Sequence, residues 1–312
     1  MTRAVAGDAL VVGEALIDVV HRADGTVDVH PGGSPANVAL TLGRLGRPAR
    51  LLTSFGTDAY GDRIRSWLRG SDVSVVDGSD GAARTSVATA RLSDTGSATY
   101  EFELEWAIPS VTLDPAQAAV VHTGSIGAVL EPGATGVVSV LDAHRAHATV
   151  TYDPNLRPSL MGSAADVAPR VEELVGRSDV VKVSDEDLAW LVPGRDPVDV
   201  ARGWLAQGPA LVVVTLGGEG AVAVSAQGVT GVPAQRVEVV DTVGAGDSFM
   251  GALIDGLWHE GLLGAANRPA LRAIPGDAVV RVLSRCVHVA AITVSRAGAN
   301  PPRRAELEAT EL

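Results

Sequence analysis

The sequence has few of the residues on which several kinds of site depend. Its single cysteine, Cys286, excludes an intrachain disulfide and any zinc site built on thiolates. Its single lysine, Lys182, is followed by Val183, so the Gly-Lys-Ser/Thr signature of a P-loop is absent. Aromatic residues make up only 4% of the 312 residues, and the core must therefore be built mostly from Val, Leu, Ile and Ala.

Charge and hydropathy limit the partners and the location of the protein. The formal net charge is −12 and there is no basic cluster, so nucleic acid and anionic membranes are poor partners. No uninterrupted apolar run reaches about 18 residues, the length of a membrane span. The first residues contain Asp8, Glu14 and Asp18 and lack the apolar stretch of a signal peptide. We therefore predict a cytoplasmic protein.

Short apolar runs alternate with helix-length segments along the chain. The predicted strands are Ala9–Val12, Ala49–Thr53, Ala119–His122, Thr149–Tyr152, Val180–Val183 and Leu211–Thr215. Helix-length segments between them include Asp58–Arg69, Ala134–Ala146 and Ala165–Val175. Continuous apolar strands that alternate with helices are typical of a mostly parallel α/β sheet covered on both faces. We expect residues 1–312 to form one such domain.

Two segments alternate apolar and polar residues instead, and each predicts a hairpin with one solvated face. The first is His21–His30, with Asp24-Gly25 at its turn, and the second is Arg84–Glu105, with SDTG (residues 93–96) at its turn. They could join as a small separate sheet that closes over the main sheet as a lid and excludes water. The alternative is two independent surface hairpins.

The stretch DTVGAGDSFMGAL, residues 241–253, places small residues before a carboxylate and a helix. Free N–H groups and the macrodipole attract anions to the start of a helix, and the small turn Gly244–Gly246 lets a phosphate approach the backbone. Asp247 in this place suits a base that takes the proton of a hydroxyl attacking phosphorus. The alternative is that Asp247 simply caps the helix.

A second loop-to-helix junction is PGGSPANVALTLGRLG, residues 31–46. Gly32 and Gly33 allow close approach of the backbone, and Ser34 can cap the following helix. Asn37 in the first turn can hold sugar hydroxyls, because an amide both donates and accepts hydrogen bonds. An ordinary loop-to-helix cap is the alternative.

Further polar loops follow predicted strands and should converge at one edge of the sheet. They contain Asp18, DPNLR (153–157), KVSDED (182–187) and TLGGEG (215–220). The three acids at 185–187 either favour the helix dipole or supply a magnesium shell. The loop at 215–220 could also be a plain hairpin turn.

Over nearly its whole length the chain resembles the ribokinase-like (PfkB) family of carbohydrate kinases. GGSPANVALTLGRLG followed by TSFGTDAYGD is similar to the family's sugar-binding signature, and DTVGAGDSFMGALI is similar to its C-terminal signature. The resemblance implies a doubly wound α/β fold with a small β lid from segments of about 14–33 and 84–107. It also implies transfer of the γ-phosphoryl group of ATP to a sugar hydroxyl.

The resemblance implies roles for individual residues. Asp247 would be the base, and the residues of the anion hole would be Gly244, Ala245 and Gly246. The implied substrate-binding residues are Asp18, Gly32, Gly33, Asn37 and Arg157. The implied nucleotide-binding residues are Ser184, Thr215, Gly217, Gly220 and Gly246.

The implied cofactors are ATP, Mg²⁺ and K⁺, but the metal positions depart from the family pattern. Members often have Asn-x-x-Glu near Mg²⁺, whereas Ser184 and Asp187 stand here, so Asp187 is the candidate ligand. Many members hold a monovalent cation through carbonyl groups, and the matching residues are Asp241, Val243, Thr293, Arg296 and Gly298. Pro302 stands where a small hydroxyl residue is common.

Within the family, GEALIDVV, YEFELEWAIP, HTGSIGAVLEPG and DPNLRPSL most resemble fructokinases. A 2-keto-3-deoxygluconate kinase stays open, because Arg157 could meet a substrate carboxylate. A ribokinase-type sugar or nucleoside kinase and a non-catalytic sugar sensor on the same fold stay open as well. An oxidoreductase is opposed by the missing dinucleotide fingerprint. We expect sugar and ATP as partners, and a homodimer formed through the lid.

Overall fold

A computed structural model describes residues 5–22, 24–92 and 98–310. Its strands are β1 Asp8–Val12, β2 Leu16–His21, β3 Val27–Gly32, β4 Ala49–Leu52, β5 Val73–Val75, β6 Val87–Leu92, β7 Ala98–Glu103, β8 Ala118–Gly124, β9 Thr149–Asp153, β10 Val180–Ser184, β11 Leu211–Thr215, β12 Ala221–Ser225 and β13 Gly228–Val232. Its α-helices are α1 Ser34–Arg44, α2 Ala59–Arg69, α3 Gly133–His144, α4 Pro158–Met161, α5 Ala164–Arg177, α6 Asp185–Leu191, α7 Pro197–Leu205, α8 Ala245–His259, α9 Arg268–Arg272, α10 Gly276–Val294 and α11 Arg304–Thr310.

The larger sheet has nine strands in the described residues, in the order β13-β12-β11-β10-β9-β8-β1-β4-β5. Neighbours from β5 to β11 run parallel, and β12 and β13 add an antiparallel edge. Helices α1, α8 and α10 cover one face, and α3, α5 and α7 cover the other. Strands β1, β8 and β9 are buried along their whole length for this reason. The predicted fold class is confirmed.

The six predicted strands all occur, because each is a run of mostly buried residues. Ala119–His122 lies inside β8, for example, and Leu211–Thr215 is β11 itself. The predicted helices occur with small shifts at their ends. Helix α2 begins at Ala59 because Asp58 is its N-cap and accepts a hydrogen bond from the Gly61 N–H at 2.9 Å.

The smaller sheet has the order β3-β2-β6-β7. Strands β2 and β3 form one antiparallel hairpin, β6 and β7 form the other, and β2 pairs in parallel with β6. The two hairpins are therefore one sheet and not independent decorations. Asp24 accepts a hydrogen bond from the Thr26 N–H at 2.9 Å at the first turn, whereas the predicted SDTG turn lies outside the described residues. The single-domain assignment and lid closure stay predictions.

None of the described helices combines the length and the apolar character that crossing a membrane requires.

Candidate active site

A cleft of about 1410 Å³ lies between the carboxyl edge of the larger sheet and the smaller sheet. The predicted residues that line it are Asp18, Gly33, Asn37, Arg157, Ser184, Asp187, Thr215, Gly217, Gly220, Val243, Gly244, Ala245, Gly246 and Asp247. The predicted residues outside its wall are Gly32, Asp241, Thr293, Arg296 and Gly298. The convergence that strand order predicts therefore occurs.

The turn before α8 has the geometry of an anion site. Gly244 is the N-cap of α8 with φ 74°, and a Cβ on it would lie 2.5 Å from the Ala299 Cβ, so only glycine fits. The N–H groups of the first helical turn have no acceptor within the helix. One of them, from Ala245, donates to the Thr242 carbonyl oxygen at 3.2 Å, so this member of the predicted anion hole already has an acceptor.

Asp247 lies in the first turn of α8 and is only 7% exposed. Its Oδ1 accepts hydrogen bonds from Ser34 Oγ at 2.7 Å and Asn155 Nδ2 at 3.3 Å, and its Oδ2 accepts one from Asn37 Nδ2 at 2.8 Å. The alternative of a helix cap is wrong, because Gly244 is the N-cap and α8 has no side-chain cap. The carboxylate is instead aimed between α1 and the loop after β9, where a ligand hydroxyl could replace one donor.

Ser34 has a role that the sequence analysis missed. The predicted cap is wrong, because Gly33 is the N-cap of α1 and the Ser34 hydroxyl donates to Asp247. The two partners are 213 residues apart. A serine at the start of a helix looks the same in the sequence whether it caps that helix or serves a distant carboxylate.

Asn37 offers an unused acceptor to the cleft. Its nitrogen is bonded to Asp247, while its Oδ1 is buried and has no hydrogen-bond partner among the described residues. Leaving a buried acceptor unpaired costs about 1–3 kcal/mol. A ligand hydroxyl that donates to this oxygen would recover that cost, which fits the expected role in sugar binding.

Asp18 is placed on β2 with its carboxylate against the backbone of the neighbouring strand. Burial raises its pKa to about 6, and the charges of His30 and Arg157 limit the rise. A Cβ on Gly32 would lie 2.3 Å from Asp18 Oδ2, so Gly32 makes room for the carboxylate without lining the cleft. Gly33, with φ 106°, does line it.

Glu14, which follows β1, is a second carboxyl group in the cleft and was not among the predicted residues. It is 5% exposed, and its Oε2 accepts a hydrogen bond from the Gly127 N–H at 2.9 Å. Burial raises its pKa to about 7 against the lowering effect of that bond. Glu14 therefore fixes the loop after β8 to the end of β1.

Arg157 lies at the cleft wall, but its guanidinium group serves its own loop. Nη1 donates to Asn155 Oδ1 at 2.8 Å and to the carbonyl oxygens of Asn155 and Leu156. The residue is exposed. A substrate carboxylate would compete with these three acceptors for Nη1, whereas the donors on Nε and Nη2, which no acceptor among the described residues occupies, would remain open to it.

The loop at 215–220 connects the antiparallel strands β11 and β12, so the hairpin interpretation is correct. The loop also lines the cleft, and Gly220, with φ 111°, is required there because a Cβ would lie 2.1 Å from the Val232 carbonyl oxygen. Val239, 60% exposed, and the small side chains of Ala290 and Ala291 continue this wall. Together they form an apolar slot in the cleft wall.

Asp187 is held by backbone groups on both carboxylate oxygens. Oδ1 accepts from the Leu156 N–H at 2.8 Å, and Oδ2 accepts from the Ser184 N–H at 3.3 Å in a capping box at the start of α6. No group of three or more His, Cys, Asp or Glu in the described ranges could hold a metal ion. Mg²⁺ commonly binds through one or two carboxylates, water and substrate phosphates, so the residues fit Mg²⁺ only together with a nucleotide.

The predicted residues of the cation site come together beside the turn of Gly244. Asp241 Oδ2 accepts from the Gly298 N–H at 2.8 Å, and the Asp241 N–H donates to the Val294 carbonyl oxygen at 3.2 Å. The Thr293 carbonyl oxygen accepts from the Arg296 N–H at 3.1 Å. The two chain segments that would share a monovalent cation are thus neighbours.

A buried carboxylate in the first turn of an apolar helix, next to a glycine turn and in a cleft beside a small sheet, is an arrangement suited to phosphoryl transfer to a hydroxyl. The sequence profile of the pfkB family carbohydrate kinases matches residues 6–306. The chain belongs to this family, and the expectation of a carbohydrate kinase is confirmed.

Similar proteins agree with this assignment. The fructokinase of Rhizobium leguminosarum bv. trifolii is 34% identical over 268 residues, which cover 81% of each chain. The fructokinase of Xylella fastidiosa with bound ATP has a TM-score of 0.83 at 24% identity, covering 97% of both chains. A fructokinase double mutant from Vibrio cholerae O395, in a fructose, ADP and potassium ion bound form, has a TM-score of 0.77 at 22% identity and covers 98% of this chain and 99% of that one. The two structures support the fold.

Proposed function

We propose that this carbohydrate kinase is a fructokinase, which transfers the γ-phosphoryl group of MgATP to a primary hydroxyl of fructose. The observation that carries the chemistry is the buried carboxylate of Asp247, held by Ser34 and Asn37 beside the first turn of α8. The choice of fructose is supported by the fructokinase relative and by the four segments that resemble fructokinases.

In this mechanism Asp247 accepts the proton of the sugar hydroxyl as its oxygen attacks the γ-phosphorus. The N–H groups at the start of α8 stabilise the negative charge of the transferring group. Asn37 Oδ1 and Asp18 accept hydrogen bonds from other sugar hydroxyls. The loop at 215–220 and the apolar slot hold the nucleotide, and the small sheet closes over the sugar to exclude water. Mg²⁺, when bound with the nucleotide beside Asp187, would neutralise phosphate charge.

A 2-keto-3-deoxygluconate kinase is the second candidate, because Arg157 lines the cleft. Two features oppose it. Nη1 of the guanidinium group already donates to its own loop, and the carboxyl groups of Glu14 and Asp18 interact with the same positive charge. A ribokinase-type sugar or nucleoside kinase has no residue of the cleft specifically in its favour.

ADP release from MgATP tests the proposal with a panel of fructose, 2-keto-3-deoxygluconate, ribose, tagatose and adenosine. We expect the highest kcat/KM with fructose. Preference for the keto-acid would keep the mechanism and reassign Arg157 to its carboxylate. Sugar binding without turnover on any substrate would favour a sugar sensor.

The Asp247→Asn and Asp247→Ala variants test the base. We expect kcat to fall by about 10²- to 10⁴-fold, the range for a positioned base, while the Kd for fructose changes little. Asp196→Asn is the control, because it alters a carboxylate that caps α7 outside the cleft wall. Full turnover by Asp247→Asn would overturn the assignment.

We also propose that the protein acts in the cytoplasm, where ATP is available.

We further propose that K⁺ binds carbonyl groups of residues 241–243 and 293–298. The contact between Asp241 and Gly298 supports the cation site, as does the potassium ion of the Vibrio cholerae structure. Replacing K⁺ with tetramethylammonium should lower kcat, and an unchanged kcat would contradict the site.

A homodimer through the small sheet is a further part of the proposal. Strands β3 and β7 are the edges of this sheet in the described residues, and edge strands carry N–H and C=O groups that can pair with a second copy. Analytical ultracentrifugation at micromolar concentration should give twice the chain mass. A monomer at every concentration would refute this part.

A further inference from the structure

Lys182 on β10 forms a buried ion pair in the floor of the cleft. Its Nζ lies 2.8 Å from Asp153 Oδ2, and the two side chains are 3% and 0% exposed. Burying two charges costs so much desolvation that such pairs seldom add net stability. Folding stability therefore does not account for this ion pair, and a function in the cleft is the better explanation.

The ammonium group lies against the anion-binding turn. A Cβ built on Gly246 would be only 3.0 Å from Lys182 Nζ. Any side chain other than glycine at this position would press on the ammonium group. Gly246 thus gives Lys182 access to the turn where the transferring phosphoryl group is expected.

The ion pair leaves hydrogen-bonding capacity unused on both partners. Asp153 Oδ1 is buried without a partner among the described residues. In the same residues, Asp153 Oδ2 is the one hydrogen-bond acceptor found for Lys182 Nζ, which carries three donors. A pair that served only to link β9 to β10 would gain by satisfying these groups within the protein.

Lys182 keeps its positive charge although it is buried. Burial lowers its pKa, but Asp153, Asp187 and Asp247 raise it by more, and the net pKa lies above the ordinary value. The ammonium group is therefore charged at neutral pH. Both oxygens of Asp187 already accept hydrogen bonds from backbone N–H groups. Lys182, by contrast, is a cation that the chain itself holds next to the turn.

We propose that Lys182 is a catalytic residue that donates a hydrogen bond to the phosphoryl group during its transfer. The inference rests on the proposed function. In the step, the sugar oxygen bonds to the γ-phosphorus, and the bond from phosphorus to the bridging oxygen breaks with its electron pair left on ADP. The hydroxyl proton goes to Asp247. Lys182 keeps its protons, and its charge offsets the negative charge of the phosphoryl oxygens.

The test needs a variant that folds. Lys182→Met alone would leave the Asp153 carboxylate buried without its cation, which is strongly destabilising. The double variant Lys182→Met/Asp153→Asn removes both charges and is the one to measure. The matched control is Arg268→Met/Asp179→Asn, which removes a 2.7 Å ion pair next to the opposite end of β10 and outside the cleft wall.

The readout is MgADP affinity by calorimetry at saturating fructose, with and without aluminium fluoride as a mimic of the transferring phosphoryl group. Fluoride should tighten binding by about 100-fold or more in the wild type and the control, as expected for a transition-state mimic. In the double variant the increase in MgADP affinity caused by aluminium fluoride should fall below about tenfold, and kcat should fall about 100-fold. The MgADP affinity without aluminium fluoride should stay within about threefold of the wild-type value.

A folded double variant that keeps the full fluoride gain would overturn the role of Lys182. Equal losses of MgADP affinity with and without fluoride would also overturn it, because a purely structural pair would act in that way. A wild type that forms no ADP with any sugar of the panel would refute the proposed function instead.

Discussion

At the scale of single residues, the proposed base is oriented by a helix other than its own. Asp247 lies in the first turn of α8, but both of its oxygens are held from α1, by Ser34 at 2.7 Å and by Asn37 at 2.8 Å. Hydrogen bonds to a charged acceptor are stronger than neutral ones. The direction in which Asp247 presents its lone pairs is therefore set by the first turn of α1.

Replacing Ser34 with Ala should lower kcat by about 10- to 100-fold, because a hydrogen bond to a charged group is worth about 1.5–3 kcal/mol. The KM for fructose should change less than kcat. The control is Ser178→Ala, which removes another buried hydroxyl, one that donates to the Leu174 carbonyl oxygen at the end of α5. Steady-state kinetics of both variants checks the prediction, and a kcat loss shared by the control would contradict it.

Glu14 should make the free energy of unfolding fall as the pH rises. Its folded pKa is about 7 against an ordinary 4.5, so the folded protein holds a proton that the unfolded chain releases. This stabilisation is complete below pH 4.5 and is lost as the pH rises through about 7, a change on the order of 3 kcal/mol.

The Glu14→Gln variant, which can still accept the Gly127 N–H, should lose this part of the pH dependence and be more stable than wild type at about pH 8. Urea unfolding between about pH 5 and pH 8 measures it. Parallel stability curves for the two proteins would show that Glu14 does not carry the effect.

At the scale of elements, one carboxylate ties four parts of the chain together. Asp255, in the middle of α8, is 0% exposed and pairs with three arginines. Arg47 precedes β4, Arg285 lies on α10 and Arg304 on α11, at distances of 2.6, 2.8 and 2.7 Å. This cluster anchors the helix that carries the proposed base, Asp247.

Asp255→Asn should destabilise the protein by about 3–5 kcal/mol, because three guanidinium groups lose the buried charge they share. The control is Asp277→Asn, which breaks an exposed pair with Arg281 on α10 and should change stability little. Urea midpoints of both variants decide the matter. Similar small shifts in the two would mean that the cluster contributes no more than a surface pair.

Strands and helices could be predicted from the sequence where they are buried along most of their length. Contacts between these elements could not be predicted. The strands of the larger sheet appear as runs of Val, Leu and Ala because both faces are covered, and the smaller sheet appears as alternation because one face is wet. Within the site, Asp247 and Asn37 were identified by motifs. Ser34, Glu14 and Lys182 were missed, because their partners lie on other strands and helices and no local pattern distinguishes them from a cap, a loop acid or a strand residue.

At the scale of the whole molecule, the net charge of −12 opposes the arrival of a nucleotide. The cleft walls add to this effect with more carboxylates than cations. Raising the ionic strength from about 0.01 to 0.15 M with choline chloride, at constant K⁺ and Mg²⁺, shortens the Debye length to about 8 Å. The kcat/KM for MgATP should then rise a few-fold, while that for the neutral sugar stays level. A fall in the nucleotide value would contradict this prediction.

A practical consequence follows from Lys182 being both the single lysine and buried at the cleft floor. Apart from the terminal amine, an amine-acylating reagent meets one target, and it reacts there only when the cleft admits it and the Lys182 ammonium group has left Asp153 and lost a proton. Intact-mass spectrometry would then count modified molecules directly, and the rate at which the second acyl group appears would report how often Lys182 is released from this pair in an accessible cleft. Adding fructose or a nucleotide should slow this second acylation, so an ordinary laboratory reagent could report cleft occupancy without any engineered label.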